Sequence, residues 1–311
     1  MMTGMAATAM TTAAERRLGV IAVAVATCVW ATGTILAKSN DLSGPHFAMF
    51  RLGAGVVVSG VALLVTRRRL TWTTLRACAP GGVLFAADIG LHFSAVKRTN
   101  IADVAMIGAL APVVIAVIST RLLGERIVRR DAALVAVSFV GVLIVAIGSS
   151  GSPSWSPLGD LLAVLGIGTW TSYWMFSRRA REHTPTIEYF ASVMIGGALA
   201  MTPFALAVGG VPAAPSARDW ATVVAVAIFP GFVGHTLVIW SHRSVESWRS
   251  ALITQCTPVI SVVLAWIFLG ETVTPLVIAG GAVVVASTAM VVVGAARRSA
   301  LADLDTAEPP S

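Results

Sequence analysis

Long apolar stretches alternate with short polar connections along almost the whole chain. A helix needs about 20 mostly apolar residues to cross a bilayer. The pattern predicts ten such spans, at 18–37, 46–66, 77–96, 101–119, 132–148, 158–177, 187–208, 220–240, 249–268 and 274–294. The connections are polar or rich in Gly and Pro, as at 66–69 and 148–153. The pattern therefore predicts an all-α integral membrane protein with ten transmembrane helices.

The two ends of the chain do not fit the spanning pattern. Residues 1–17 are small and polar and carry Glu15, Arg16 and Arg17 before the first apolar run. That run is longer than the apolar core of a signal peptide, which is about 7–15 residues, so we expect a retained first membrane helix. We expect a cytoplasmic C-terminal tail at 297–311, in which the polar, acidic segment 299–311 has the composition of a disordered chain.

Composition narrows the class of protein further. Hydrophobic residues make up 56% of the chain and charged residues 12%, whereas a soluble domain has about a quarter charged residues. The net charge is +7, which could indicate nucleic-acid binding. The basic residues instead form short clusters between apolar runs, where they orient a membrane protein. We therefore expect a lipid bilayer and a small-molecule cargo as partners, and no nucleic acid.

The placement of Lys and Arg predicts the orientation, because cytoplasmic loops are enriched in these residues. With a cytoplasmic N-terminus, the outer segments hold only Lys38, Lys97, Arg98 and Arg218. The inner segments hold Arg16, Arg17, Arg67, Arg68, Arg69, Arg76, Arg121, Arg126, Arg129, Arg130, Arg178, Arg179, Arg181, Arg243, Arg249, Arg297 and Arg298. The asymmetry predicts that both termini are cytoplasmic.

Two segments of the chain repeat each other at a spacing of 146 residues. Segment 110–125 begins Leu-Ala-Pro-Val-Val and segment 256–271 begins Cys-Thr-Pro-Val-Ile, and both end in Leu-Gly-Glu. We expect Pro112 and Pro258 inside the fourth and ninth helices, where proline removes a backbone donor and kinks the helix. We expect each Gly-Glu pair to form a tight turn that closes its helix.

The first two helices of each half match at a spacing of 140 residues. The matched pairs are Trp30 with Trp170, Lys38 with Arg178, and Phe50 with Phe190. The six-residue difference fits a longer loop around 209–219, since insertions collect in loops. Each half has five helices, and an odd number places the two copies upside down relative to each other. We expect repeats at 18–148 and 158–296, joined by a linker at 149–157.

These features together resemble a known family. A Trp with a Lys eight residues later, Pro45 six residues before Arg51, and the paired Pro and Gly-Glu segments are similar to the drug/metabolite transporter superfamily, within it the ten-helix EamA family. The resemblance covers about 18–296. It implies two inverted five-helix repeats around a central cavity that moves small metabolites or toxic organic compounds. One departure is Arg51, whose repeat equivalent is Ala191.

Ionisable residues inside the spans are the first candidates for a site, because such groups are costly in a membrane and usually face a cavity or a partner. Asp88 and His92 are four residues apart on one face of the third helix. Gly82, Ala86 and Gly90 run along roughly the opposite face, which favours close helix packing there. His235 and Arg51 complete the set. Either these groups line the cavity and bind cargo or relay protons, or they form a structural network in which Asp88 pairs with Arg51.

Aromatic residues are the second group of candidates. Trp30 and Thr34 lie four residues apart, and Trp170 and Trp174 repeat that spacing. Trp30 and Trp170 are well inside their spans, whereas membrane tryptophans usually collect at the interfaces. They therefore either stack on a flat or cationic cargo or pack structurally. The remaining pocket candidates are Tyr173 and Gln255. Gln255 is three residues before Pro258, so it could equally bind backbone groups freed by the proline.

The sequence predicts a secondary transporter of the inner membrane that exports a small organic metabolite, amino acid or drug-like compound by alternating access. Its alternatives are a channel and, less favoured, an intramembrane enzyme. The chain has no CxxC, HExxH, GxSxG or GxxxxGK[ST] motif, so we expect neither catalysis, a metal nor a cofactor. Energy would come from a gradient, with protons as one candidate. The cargo, the coupling ion, the direction of transport and the oligomeric state stay open.

Overall fold

The structure is a computed structural model, and it describes residues 13–38, 40–96, 98, 104, 107–150, 156–269 and 273–305. Within these ranges every regular element is a helix, as the apolar pattern predicts. The helices are α1 Ala13–Lys38, α2 Gly44–Val65, α3 Trp72–Val96, α4 Ala111–Leu122, α5 Arg129–Ser150, α6 Pro157–Ala180, α7 Thr186–Gly209, α8 Ala217–Ser241, α9 Ser247–Thr254, α10 Thr257–Leu269 and α11 Pro275–Asp305.

Among the residues that the structure describes, six helices are long and apolar enough to cross a membrane by length and composition: those within α1, α2, α5, α7, α8 and α11. The helices α3 and α6 are 25 and 24 residues long and are not among these six. The predicted ninth span is divided between α9 and α10. The predicted fourth span is described only in part, and its α4 portion is a shorter apolar helix.

The two repeated prolines begin helices instead of kinking them from within, which corrects the prediction. Pro112 is the second residue of α4, and Pro258 is the second residue of α10. A turn precedes each helix, at 109–110 and at 255–256. The fixed φ of proline and its missing N–H suit the first turn of a helix, where that donor has no partner within the helix. The breaks are again 146 residues apart.

Gly124 closes α4 as the repeat predicts. Its φ is +65°, a conformation that favours glycine, and the N–H of Glu125 reaches back to the carbonyl oxygen of Ser119 at 3.3 Å. This arrangement is typical of a helix C-terminus that ends in a left-handed residue. The corresponding pair, Gly270 and Glu271, lies outside the described residues.

Helices that match between the two halves run antiparallel. Arg68, just after α2, pairs with Glu188 at the start of α7 at 3.0 Å. His46, at the start of α2, contacts the carbonyl oxygen of Gly210 just after α7 at 3.0 Å. The same arrangement holds for α5 and α11, which are joined by Arg298 with Asp131 at one end and by Thr274 with Gly148 at the other.

These contacts define two ends of the bundle. The Glu125 end holds Glu125 and the ion pairs of Glu188 and Asp131. The His92 end holds the last turns of α3, where the hydroxyl of Ser156 donates to the carbonyl oxygen of Arg98 at 2.9 Å. Because Ser156 directly precedes α6, the helices α3 and α6 are also antiparallel.

Small residues allow close packing where the sequence predicts it. A Cβ on Gly82 would lie 2.5 Å from the carbonyl oxygen of Val193, so α3 and α7 touch backbone to backbone. Gly141 of α5 and Gly280 of α11 meet in the same way, since a Cβ on Gly280 would lie 2.8 Å from the carbonyl oxygen of Gly141. Such approaches are typical of helix pairs in membranes.

Candidate functional site

Five aromatic side chains meet between α1, α3, α6 and α8. His235 is the hub: its ring centroid lies 4.8 Å from Trp30, 4.7 Å from Phe85 and 6.2 Å from Trp170. Trp30 and Trp170 are 5.9 Å apart, edge to face, and Tyr173 lies 4.9 Å from Phe85. We call these five residues the aromatic cluster. The matched residues Trp30 and Trp170 thus touch each other, and each half contributes to the cluster.

A π-helical segment within α8, Ala227–Gly234, holds Trp30 in place. The indole Nε1 of Trp30 donates to the carbonyl oxygen of Pro230 at 3.0 Å. Pro230 has no N–H to continue the helical hydrogen-bond ladder, and π-helical turns interrupt α-helices where the ladder is disturbed. A Cβ on Gly234 would lie 2.4 Å from this indole nitrogen, so glycine makes room for the ring.

Arg51 lies beside the aromatic cluster and is 8% exposed. Its guanidinium carbon is 5.8 Å from the ring centroid of Phe85, within the range of a cation–π interaction. It borders a cavity of about 10 Å³ that is also lined by Leu52, Gly55, Phe85, Met194, Ala227 and Gly231. That space is about enough for one water molecule. The wall contributed by α8 belongs to its π-helical segment.

Asp88 and His92 lie on the same face of α3 as Phe85, at positions three and seven residues further on. Arg51 lies within electrostatic range of both, and of Tyr173 and His235. Within the described residues, however, no ion pair within 4 Å joins Asp88 to Arg51 or to any other basic group. The side chain of Asp88 is half-buried and that of His92 is exposed.

Two other candidates occupy packed positions next to the cluster. Trp174 is 1% exposed and lies between Trp170, at 5.2 Å, and His242, at 5.0 Å. The amide nitrogen of Gln255 donates to the carbonyl oxygen of Ala109 at 2.9 Å, which supports its structural alternative. The side chain of Thr34 lies outside the described residues.

The hydrogen bond between Gln255 and Ala109 joins the two helix breaks, because Ala109 lies in the turn before α4 and Gln255 in the turn before α10. The two residues are 146 positions apart, so they are equivalent in the repeat. A break leaves backbone carbonyl groups without a partner in the helix, and buried groups of this kind need another donor. The side chain of Gln255 supplies that donor across the boundary between the two halves.

Sequence reasoning missed Phe85 and Pro230. Phe85 contacts three of the predicted site residues, yet an apolar residue in an apolar span carries no signal of its own. Its repeat equivalent is Gly231, so the duplication gives no help either. The only available signal was its position on the face of Asp88 and His92.

Charged groups at the Glu125 end form a second cluster. Glu125 lies 3.8 Å from Arg178, and His242 bonds through Nδ1 with the hydroxyl of Ser177 at 3.2 Å. Burial, together with the nearby charges of Arg178 and Arg181, lowers the pKa of His242 to about 3. Burial and Arg243 also lower the pKa of Arg181 to about 10. His242 is therefore neutral near pH 7, whereas Arg181 keeps its charge. Within the described ranges, no three His, Cys, Asp or Glu side chains meet where they could hold a metal ion.

Comparison with protein families identifies the class of molecule. The model of the EamA-like transporter family matches twice, at residues 17–147 and 157–293. Together the two matches cover most of the chain. The resemblance predicted from the sequence is confirmed.

Known relatives include transporters. The pseudopaline exporter CntI of Pseudomonas aeruginosa (strain UCBPP-PA14) is 26% identical over 283 residues, covering 86% of this chain and 93% of its own length. A probable amino-acid metabolite efflux pump of Salmonella typhimurium (strain LT2) is 24% identical over 172 residues, covering 52% and 57%. A solved crystal structure of a protein 22% identical superposes with a TM-score of 0.77, covering 93% of this chain and 99% of that one, which shows a shared fold.

Proposed function

The chain belongs to the EamA-like transporter family, and we propose that it is a secondary carrier that exports a small organic compound by alternating access. The proposal has three parts: an architecture of ten spans in two inverted repeats, an orientation in the inner membrane, and a cargo site between the halves.

The proposed repeats are 18–148 and 158–296, joined by the linker 149–157. The antiparallel course of α2 with α7 and of α5 with α11 supports their inverted relation. So do the two helix breaks 146 residues apart and the bond between Gln255 and Ala109. Inverted repeats of this kind supply the two related conformations that open to opposite sides of a membrane.

The proposed orientation has both termini in the cytoplasm, which makes the Glu125 end cytoplasmic. The Arg-rich segments lie at this end, including Arg178 and Arg179 in the last turn of α6 and Arg297 and Arg298 in α11. Basic residues favour the cytoplasmic side. The His92 end then faces away from the cytoplasm.

The observation that carries the cargo site is the pair of charges on Arg51 and Asp88 beside the aromatic cluster. Charged groups at membrane depth are costly unless they have partners or a function, and these two form no ion pair with each other within 4 Å. Trp30, Trp170 and Tyr173 offer flat surfaces for an apolar or aromatic part of the cargo. His92 and His235 lie within electrostatic range of Arg51. The names of two relatives, an exporter and an efflux pump, support export.

The test begins by finding the cargo. A metabolomic comparison of medium from deletion and overexpressing cells identifies compounds whose export depends on the chain. The purified protein in proteoliposomes should then show saturable flux and counterflow, in which cargo on one side accelerates exchange from the other. A channel shows neither.

The variant Asp88→Asn tests the role of the carboxylate. We expect it to remove the pH response of flux and to lower the rate at least tenfold, because a neutral amide neither carries a proton nor balances Arg51. Glu182→Gln, an exposed carboxylate outside the site, is the matched control. Unchanged flux and pH response in a normally expressed Asp88→Asn protein would refute this role.

A further inference from the structure

Glu125 makes contacts that no role as a turn residue requires. Its Oε1 accepts a hydrogen bond from the backbone N–H of Ser247 at 2.9 Å, and its Oε2 lies 3.5 Å from the N–H of Trp248. These are the first two residues of α9. The same carboxylate lies 3.8 Å from Nε of Arg178, at the end of α6, and its side chain is 7% exposed. A carboxylate is favourable at a helix N-terminus because the free N–H groups carry partial positive charge.

These contacts cross the boundary between the two proposed repeats. Glu125 follows α4 in the first repeat, whereas Arg178 and Ser247 belong to the second. A further contact ties the same helix end: Nη2 of Arg179 donates to the carbonyl oxygen of Leu122 at 3.1 Å. Three helix ends therefore converge on one carboxylate and its neighbours.

The bundle is closed directly below this point. Ile115 of α4, Trp174 of α6 and Ala251 of α9 lie in one buried cluster, and each is at most 1% exposed. At the opposite end of the bundle, His92 is exposed and Asp88 is half-buried on the face of α3 that carries Phe85. The helices are thus packed together below the Glu125 end.

We propose that Glu125, Arg178 and the N-terminus of α9 form a gate that closes one entrance of the carrier. This inference rests on the proposed function. In the closed state the carboxylate holds α4 of one half against α6 and α9 of the other. Opening requires these helix ends to separate, which exposes the buried cluster to water. Outside the gate, a cleft of about 480 Å³ lined by Leu122, Leu123, Glu125, Arg178, Arg179, Glu182 and His183 already admits solvent.

The gate is tested by the accessibility of a buried thiol. Ala251 lies one turn into α9 below Ser247, and cysteine differs from alanine by one atom, so Ala251→Cys is placed in a protein whose Cys28, Cys78 and Cys256 have been replaced. A water-soluble maleimide then labels position 251 only when the gate opens. We expect Glu125→Gln, which keeps the shape and removes the charge, to raise the labelling rate about tenfold, typical of losing one charge-assisted contact. Arg178→Gln should act in the same direction.

Two controls separate the gate from a purely structural cap. Glu182→Gln removes a carboxylate from the same cleft and should leave labelling at wild-type rate. The double variant Glu125→Gln/Arg178→Gln should label more slowly than two independent effects combined would predict, because both substitutions break one contact. Labelling is measured well below the melting temperature of each variant. If the contact is only a cap that stabilises the fold, its loss lowers that temperature without exposing position 251.

Each outcome decides the question. Faster labelling in Glu125→Gln but not in Glu182→Gln supports the gate. Wild-type labelling in a folded Glu125→Gln protein overturns it and leaves Glu125 as a helix cap. Labelling needs no cargo, so a chain that shows no counterflow refutes the carrier proposal separately, whichever result the thiol gives.

Discussion

Trp30 connects the two halves of the chain through a single hydrogen bond and two ring contacts. Its indole N–H satisfies the carbonyl oxygen of Pro230 in the π-helical segment. Its ring lies against Trp170 and His235. The matched residue Trp170 has ring contacts, but its N–H has no partner among the described residues. Two tryptophans at equivalent positions therefore have different roles.

Replacing Trp30 by Phe separates these roles, because phenylalanine keeps an aromatic ring and removes the N–H donor. We expect Trp30→Phe to lower the free energy of unfolding by roughly 1–3 kcal/mol, the cost of leaving a buried carbonyl unpaired. Trp170→Phe is the control and should cost less. Thermal unfolding in detergent measures both. Equal losses would show that the bond to Pro230 contributes nothing measurable.

At the scale of single residues, the sequence identifies the charged members of the candidate site better than its apolar members. Arg51, Asp88, His92 and His235 are conspicuous inside apolar spans, and Arg51 lies within electrostatic range of the other three. Phe85 is as central to the site, but its side chain is indistinguishable in sequence from one that faces lipid. Only the direction in which each residue points separates the two, and that depends on packing between distant helices.

At the level of the helices, the sequence predicts well where a helix lies but poorly where a helix is interrupted. Predicted spans such as 46–66 and 187–208 agree closely with α2 and α7. The break at 255–256 was not predicted, because apolar residues continue across it and hydropathy does not record hydrogen bonds. The π-helical segment of α8 cannot be predicted from hydropathy for the same reason. Both interruptions are stabilised by partners far away in sequence, Ala109 for Gln255 and Trp30 for Pro230.

The pair α5 and α11 depends on close approach of the two backbones. A Cβ on Gly280 would lie 2.8 Å from backbone atoms of both Gly141 and Val145, and backbone cannot move aside as a flexible side chain can. We expect Gly280→Ala to force the helices apart and to cost roughly 1–3 kcal/mol, typical of an overpacked contact. Gly60, which also lies in a membrane helix, has nothing within 4 Å of its Cβ position.

The matched control is therefore Gly60→Ala, which should be neutral or slightly stabilising because alanine favours helix over glycine. Thermal unfolding of both variants in the same detergent compares them directly. If Gly280→Ala unfolds at the wild-type temperature, the backbone contact between α5 and α11 does not limit stability.

At the scale of the whole molecule, the proposed carrier depends on the relation between the two halves. The matched helices α2 and α7 run antiparallel, and so do α5 and α11. The cluster that carries the proposed cargo site draws residues from both halves. The Glu125 gate likewise joins both. An inverted relation explains these features together, because it places equivalent helix ends on opposite faces of the membrane.

The most direct test of this relation is the sidedness of two equivalent positions. Arg126 and Thr272 are 146 residues apart, each one residue after a Gly-Glu pair. Single cysteines at these positions, in a protein without other cysteines, are labelled with a membrane-impermeant maleimide in intact cells and in inverted vesicles. An inverted repeat predicts labelling of position 126 only from the cytoplasmic side and of position 272 only from the outside. Labelling of both positions from the same side would contradict the inverted repeat and the alternating-access carrier built on it.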